Sequence, residues 1–388
     1  MNLKRHLLAI ALSATCLSAH AAPLMKAPSV PAKSYTLVDI STGTVLAENN
    51  AAELTEIASL TKVMTSYVIF SELRNGTLTL DDEVLVSTKA WRTDGSKMFI
   101  EAGKKVLVED LIQGITIVSG NDASVALAEH IAGTEDRFVE LMNNYAKAIG
   151  MKNTKFANAT GLPTDAEQHS TANDLAILAT AIYTDFPEYA HYFDTESFTY
   201  NDITQPNRNR LLNESPSYKG MKTGWTERSG YSLMSSYEED GRSIITIVLN
   251  SESVADRFMA AKTLTNYGFR RFKNISPIKA DTQITTLPVF YGTLDEVPVF
   301  TEKSLEVTLP LGINPIEEEI HLVAKLDKNG DYEPMLFAPV DKNFVVGSIT
   351  AFHKDREIGT VNLVTKSVVS EGNPIKKLSD WAKLKFNQ

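Results

Sequence analysis

Ala58-Ser59-Leu60-Thr61-Lys62-Val63-Met64-Thr65 is the stretch on which the reading of the fold turns. From Leu60 the apolar residues fall at Leu60, Val63, Met64, Tyr67, Val68 and Phe70. That is close to a helical period, so Ser59 stands at the start of a helix. Residues three apart share a helix face, and the Lys62 amine can reach the Ser59 hydroxyl. A serine is a weak nucleophile until a neighbouring base takes its proton. Lysine serves as that base if burial and nearby cations lower its pKa. The helix N-terminus adds free N–H groups and positive potential for a developing oxyanion. The four-residue pattern S-x-x-K alone is a weak signal. Ser276-Pro277-Ile278-Lys279 matches it as well, with no helical pattern after it, and is read as chance.

Two further strings lie downstream. Ser119-Gly120-Asn121 follows an apolar helical stretch over 108–118 and precedes another from Ala123. At such a junction side chains can point into a cleft. Ser119 can relay a proton to a leaving group, and the Asn121 amide can hold a substrate carbonyl and fix Lys62. Alone, the tripeptide reads as a turn with an N-cap. Lys222-Thr223-Gly224 runs towards a strand pair over 231–249. Lys222 offers a cation for a carboxylate, Thr223 a hydroxyl, and Gly224 room for close backbone approach. A strand edge here can also align an extended peptide. Alone, this string is a lysine on a solvated turn. The three together, in order and in these settings, form one joint signal.

Further out, 35–40 and 44–47 read as a hairpin turning at Ser41-Thr42-Gly43. Helical patterns follow at 123–132, 135–149 and 173–183. Strands return at 231–237 and 244–249 around an Asp240-Gly241 turn, and 258–272 reads as a helix able to pack on them. Strands at both ends with helices between them make an α+β arrangement. From Asn274 to Lys366 short strands split by turn signals predict a small all-β domain. In the tail, 367–388, Ile375, Leu378, Trp381 and Ala382 fall on one helical face, with Lys376, Lys377, Lys383 and Lys385 largely elsewhere. A basic amphipathic helix with Trp on its apolar face suits a membrane interface. The competing reading is an ordinary helix docked on the protein.

The first residues read as a signal peptide over 1–21. Lys4, Arg5 and His6 are a basic region, 7–17 a short apolar one, and Ala19-His20-Ala21 a cleavage site. Removing Lys4 and Arg5 takes the net charge from −10 to −12. The single cysteine, Cys16, lies in this segment, so the expected mature chain, 22–388, is exported without disulfides, which fits a periplasm. The acidic balance argues against a nucleic-acid partner. The histidines show no metal-ligand spacing such as H-E-x-x-H, so no metal or cofactor is expected. Asp327-Lys328-Asn329-Gly330-Asp331 resembles a calcium loop only briefly. Tyr332 and Ala338 stand where its turn glycine and bidentate glutamate belong, and a hairpin turn is the better reading. Glu317-Glu318-Glu319 reads as a solvated face.

S-x-x-K, S-x-N and K-T-G in this order resemble the signature of penicillin-binding proteins and serine β-lactamases. The chain from about Ser34 into the tail resembles the low-molecular-mass penicillin-binding proteins that act as D-alanyl-D-alanine carboxypeptidases. The likeness extends to Ser119-Gly120-Asn121-Asp122-Ala123, Asn153-Thr154-Lys155-Phe156, Asn207-Arg208-Asn209 and Lys222-Thr223-Gly224-Trp225-Thr226. It implies a catalytic domain over 22–273 with the serine β-lactamase-like α+β fold, a β-rich domain over 274–366 and an amphipathic anchor. It implies Ser59 as the acylated nucleophile, Lys62 as its general base, and Ser119 and Asn121 in the cleft. Lys222 and Thr223, with Arg208, would hold the terminal carboxylate of a peptidoglycan stem pentapeptide. Arg257 matches a further arginine near the cleft. The backbone N–H groups of Ser59 and Trp225 would form the oxyanion hole. β-Lactams are implied as covalent inhibitors, and the inner-membrane surface as the partner of the tail. Trp225 stands where histidine or tyrosine is familiar, Glu56-Ile57 precedes Ala58 where a nearby proline is expected, and 92–98 looks shortened. Transpeptidase, β-lactamase and non-catalytic peptidoglycan-binding readings remain as alternatives. The β-lactamase reading is weakened because no E-x-x-L-N stretch lies between Asn121 and Lys222.

Overall fold

Strand β1 (Ser34–Asp39) turns back into β2 (Val45–Asn49), and the hairpin pairs with strands from the far end of the same domain. The chain passes through α1 (Thr61–Asn75), β3 (Glu83–Leu85), α2 (Thr88–Arg92), β4 (Lys105–Leu107), α3 (Val108–Thr116), α4 (Asn121–Ala132), α5 (Glu135–Ile149) and α6 (Ala172–Asp185). It continues through β5 (Ser197–Tyr200) and β6 (Ile203–Pro206) to β7 (Tyr218–Thr226), β8 (Gly230–Glu239), β9 (Arg242–Ser251) and α7 (Val254–Arg271). The computed structural model describes residues 25–312, 320–327, 334–353 and 355–386. The signal segment, Glu317-Glu318-Glu319 and most of the calcium-like string (Lys328 to Asp331) lie outside the described residues.

The main sheet is antiparallel, in the order β2-β1-β9-β8-β7. Side chains alternate across a strand, and β9 uses both faces. Ile245, Ile247 and Leu249 join the helical core with Val63, Met64, Val68 and Phe70. On the other face Thr246 is hydrogen-bonded to Thr265 of α7, and Gly268 of α7 packs against Ile244 and Leu37. α1 is buried from Thr61 to Ser71, Lys62 included. It is a core helix enclosed on every face, and that enclosure takes the lysine out of water.

Most of the sequence-read helices and strands recur within a few residues. The main omission is β7. Its run Tyr-Lys-Gly-Met-Lys-Thr-Gly-Trp-Thr shows no apolar alternation. Lys222-Thr223-Gly224 lies within this edge strand, where the sequence suggested an approach to a strand pair and a strand edge without giving the strand its bounds.

A second compact unit begins at Arg271. β10 (Phe272–Ile278) pairs with β13 (Leu305–Pro310). A second sheet joins β11 (Gln283–Phe290), β12 (Glu296–Thr301), β14 (Ile320–Leu326), β15 (Leu336–Phe337), β16 (Val345–His353) and β17 (Arg356–Thr365), in the order β14-β16-β17-β12-β11-β15. Val297, Val299, Val307, Ile349, Val361 and Leu363 fill its core. The second S-x-x-K begins on β10 and its Lys279 lies just past the strand, so there is no helix face to bring its serine and lysine together. The chain ends in α8 (Pro374–Phe386).

Candidate active site

Ser59 lies in a 3-10 turn, Ala58–Leu60, just before α1. Ala58 is held at φ +46, a left-handed conformation that costs a non-glycine residue about 1 kcal/mol or more. The turn leaves Ser59 partly open to solvent, while Lys62 in the first turn of α1 is fully buried. Lys62 Nζ is 3.1 Å from Ser59 Oγ and donates to Thr160 O at 2.7 Å. Burial drives the lysine pKa down from 10.5 to about 7, with a smaller opposing pull from Asp122. A base with that value is half neutral near neutral pH, which suits proton abstraction from a serine.

Thr160, not Asn121, supplies the second contact to Lys62. The Asn121 side-chain amide donates to Asp94 O at 2.6 Å, and its backbone N–H to Ser96 O at 2.7 Å. Asn121 is the first residue of α4, and Ser119 before it sits at φ +66, buried. Asp122 completes the junction. Its carboxylate accepts from the N–H groups of Met98 (3.0 Å), Phe99 (2.9 Å), Ile100 (3.3 Å) and Ala123 (2.9 Å). The 92–98 segment is thus tied to the second motif through both Asn121 and Asp122. Neither Asp122, quoted only as part of a string, nor Thr160 has a role assigned from the sequence. An aspartate after a helix-starting asparagine looks like any first-turn acid, and Thr160 acts through a main-chain oxygen that no motif records.

β7 runs beside the nucleophile turn. A Cβ added to Gly224 would lie 2.8 Å from Ile57 O, so only glycine permits this approach. Glu56, in the Glu56-Ile57 pair near which the resemblance implies a proline, adds a tie, 2.5 Å from Arg228 in the β7–β8 turn. Lys222 is buried and its Nζ donates to Thr223 O at 3.2 Å. Its ammonium is held well below the usual range, first by burial and then by repulsion from Lys62, Arg208 and Arg257. Arg257 is also buried. It donates to Gly224 O at 3.3 Å, lies over the Tyr231 and Phe258 rings, and burial lowers it to about 10. Arg208 is exposed between two buried asparagines. Asn207 donates to Phe193 O and Thr195 O, and Asn209 to Gly220 O. These fix the backbone on both sides, and the guanidinium itself donates to Gln205 Oε1 at 3.5 Å. Among the described residues no carboxylate is paired with Lys222, Arg208 or Arg257 in an ion pair. A cationic group of this kind is suited to an incoming carboxylate. Trp225 is 52% exposed, with its ring 5.8 Å from that of Tyr231. Among the described residues no cluster of His, Cys, Asp or Glu could hold a metal ion.

A partly open serine, a buried and half-discharged lysine and a cationic strand edge define an acyl-transfer enzyme of the active-site-serine class. A family model described as D-alanyl-D-alanine carboxypeptidase matches residues 21–253, and one described as penicillin-binding protein 5, C-terminal domain, matches 272–371. D-alanyl-D-alanine carboxypeptidase DacC of Escherichia coli is 38% identical over 372 residues, covering 94% of this chain and 90% of the relative. Penicillin-binding protein 5 from Haemophilus influenzae superposes with a TM-score of 0.78 at 35% identity, over 89% of this chain and 100% of that one. A penicillin-binding protein from Listeria monocytogenes, solved with ampicillin bound, gives a TM-score of 0.58 at 28% identity, over 63% of this chain and 100% of that one. The chain belongs to the D-alanyl-D-alanine carboxypeptidase family and is a serine-type hydrolase.

Proposed function

We propose that this enzyme removes the terminal D-alanine from peptidoglycan stem pentapeptides through an acyl-enzyme on Ser59. The observation that carries the residue roles is the buried Lys62 amine 3.1 Å from Ser59 Oγ with its pKa lowered to about 7. Ser59 Oγ attacks the penultimate D-alanine carbonyl carbon and its proton passes to Lys62 Nζ. The oxyanion is received by the N–H groups of Ser59 and Trp225. The C–N bond then breaks, and the leaving amine takes a proton relayed through Ser119. Water adds to the ester, frees Ser59 and releases the shortened peptide. Asn121 lines the cleft, while Lys222, Thr223, Arg208 and Arg257 hold the terminal carboxylate. β-Lactams acylate the same serine.

The site test is product analysis by mass of a D-Ala-D-Ala pentapeptide incubated with the enzyme and an acceptor amine. Loss of one D-alanine with addition of water is expected. A product joined to the amine would make the enzyme a transpeptidase.

The location is part of the same proposal: export by the signal at 1–21 and attachment to the periplasmic face of the inner membrane by α8. The orientation of α8 supports it. Asp380, 1% exposed, accepts from Tyr291 N at 2.8 Å and from Lys376 at 2.6 Å, so the helix docks by its polar side. Ile375, Leu378 and Trp381 are 80%, 67% and 48% exposed. A docked globular helix would turn these residues inward, whereas an interfacial one turns them out. No helix among the described residues is long and apolar enough to cross a membrane. Co-sedimentation with anionic vesicles should fall sharply for Leu378→Lys with Trp381→Ala. Unchanged binding would remove α8 as the anchor.

A further inference from the structure

The base must do more than be neutral. A neutral amine carries two N–H bonds and one lone pair, and the lone pair has to face Ser59 Oγ to receive its proton. The bond from Lys62 Nζ to Thr160 O, 2.7 Å, sets that rotation. Thr160 lies in a loop outside any regular element, so something must aim its carbonyl.

Asn158 does so. Its Oδ1 accepts from Gly161 N at 2.6 Å, Thr160 N at 3.1 Å and Thr160 Oγ1 at 3.0 Å, and its Nδ2 donates to Leu162 O at 3.0 Å. The Gly161 N–H and the Thr160 C=O belong to one planar trans peptide group and point in opposite directions. Gripping the N–H from one side therefore aims the C=O out of the other, at Lys62. The loop also has little room to shift. A Cβ on Gly161 would lie 1.8 Å from Ala58 O, and Thr65 Oγ1 of α1 donates to Ala159 O at 2.7 Å. Asn158 belongs to none of the three motifs, and these hydrogen-bond partners all lie within its own loop.

We infer that Asn158 is a positioning residue for the acylation step, orienting the Lys62 lone pair towards Ser59 through the 160–161 peptide. The inference rests on Lys62 as the base. In the step it serves, the proton leaves Ser59 Oγ for Lys62 Nζ while the Oγ–carbon bond forms, and Thr160 O keeps its N–H bond throughout.

The test is the acylation rate with a fluorescent penicillin, followed across pH for the full-length enzyme and its variants. Asn158→Ala should lower the alkaline plateau about ten- to a hundredfold, the scale of a small misplacement of a catalytic group. Its acid-limb midpoint should move to lower pH, because the ammonium form loses a well-aimed acceptor. Asn158→Asp keeps the accepting contacts but adds negative charge near the ammonium. It should hold the plateau within about threefold and move the midpoint upward. That opposite shift decides the matter if the alanine variant fails to fold. Asn143→Ala is the structural control. Asn143 bonds both the N–H and the C=O of Phe156, at 2.9 and 3.0 Å, without touching the 158–162 turn. It should lower thermal stability and leave the midpoint unmoved. Unshifted midpoints in both Asn158 variants, or an equal shift in Asn143→Ala, overturn the inference while leaving Lys62 as the base. A native enzyme with no acid limb between about pH 5 and pH 9 overturns both.

Discussion

Replacing Lys62 by arginine, and varying pH in the native enzyme, probe the general base directly. Lys62 has a pKa of about 7 because it is fully buried. About half is neutral at pH 7, and about 1% at pH 5. An ordinary lysine near 10.4 would be about 0.04% neutral at pH 7, so burial raises the supply of base about a thousandfold. The acylation rate constant should climb tenfold per pH unit below about pH 6, bend near 7 and level by about pH 8.5. Arginine cannot give up its proton, and Lys62→Arg should lose about 10²- to 10⁴-fold at every pH, the usual worth of a general base. Stopped-flow acylation by a fluorescent penicillin reads both. The same burial loads the fold. The unfolded chain holds this proton up to about 10.4 and the folded one only to about 7. Stability should therefore rise as pH climbs from 7 towards 10.4, with the penalty full below 7. Lys62→Met should unfold at a higher temperature than the native enzyme at pH 6 and show a flatter pH profile. A rate still rising tenfold per unit at pH 9, or an active Lys62→Arg enzyme, would refute the assignment.

Gly224→Ala forces a Cβ to within 2.8 Å of Ile57 O. Acylation should fall at least tenfold and stability by about 1–3 kcal/mol, measured by penicillin labelling and urea unfolding. Lys222→Ala should cost about 2–5 kcal/mol in kcat/KM on a peptide with a free terminal carboxylate. The difference should shrink to about threefold or less on the C-terminally amidated peptide, where there is no charge to pair. Asp122→Ala strips the acceptor from four backbone N–H groups, those of Met98, Phe99, Ile100 and Ala123. It should lose about 3–5 kcal/mol in urea unfolding, whereas a loss under about 1 kcal/mol would mean that water replaces the carboxylate.

The parts of the structure legible in the sequence are the local ones. The helices 108–118 and 135–149 declare themselves by period, and the β1–β2 hairpin by its turn. Ser59 and Lys62 sit three apart on one helical start, so their approach follows from spacing alone. What spacing cannot show is how distant segments meet. β7 lacks alternation because lysine, threonine and glycine occupy positions that are buried on both faces of the strand, and Gly224 closely approaches Ile57. The partner of Lys62 is a main-chain oxygen 98 residues away, set by Asn158, and no side-chain pattern encodes it. Asn121 has the residue type suited to hold the lysine, yet its amide is taken up by Asp94 O. The tail shows a related limit. Ile375, Leu378 and Trp381 mark an apolar stripe, but only the burial of Asp380 tells which side of α8 meets the protein.

Rapid-quench mass analysis of the enzyme mixed with a D-Ala-D-Ala pentapeptide reads the acyl-enzyme on Ser59 directly. The expected result is an adduct equal to the substrate less one D-alanine, carried on the peptide that contains Ser59 and absent in Ser59→Ala. Release of D-alanine by the Ser59→Ala enzyme at the native rate, or an adduct on any other residue, would contradict it.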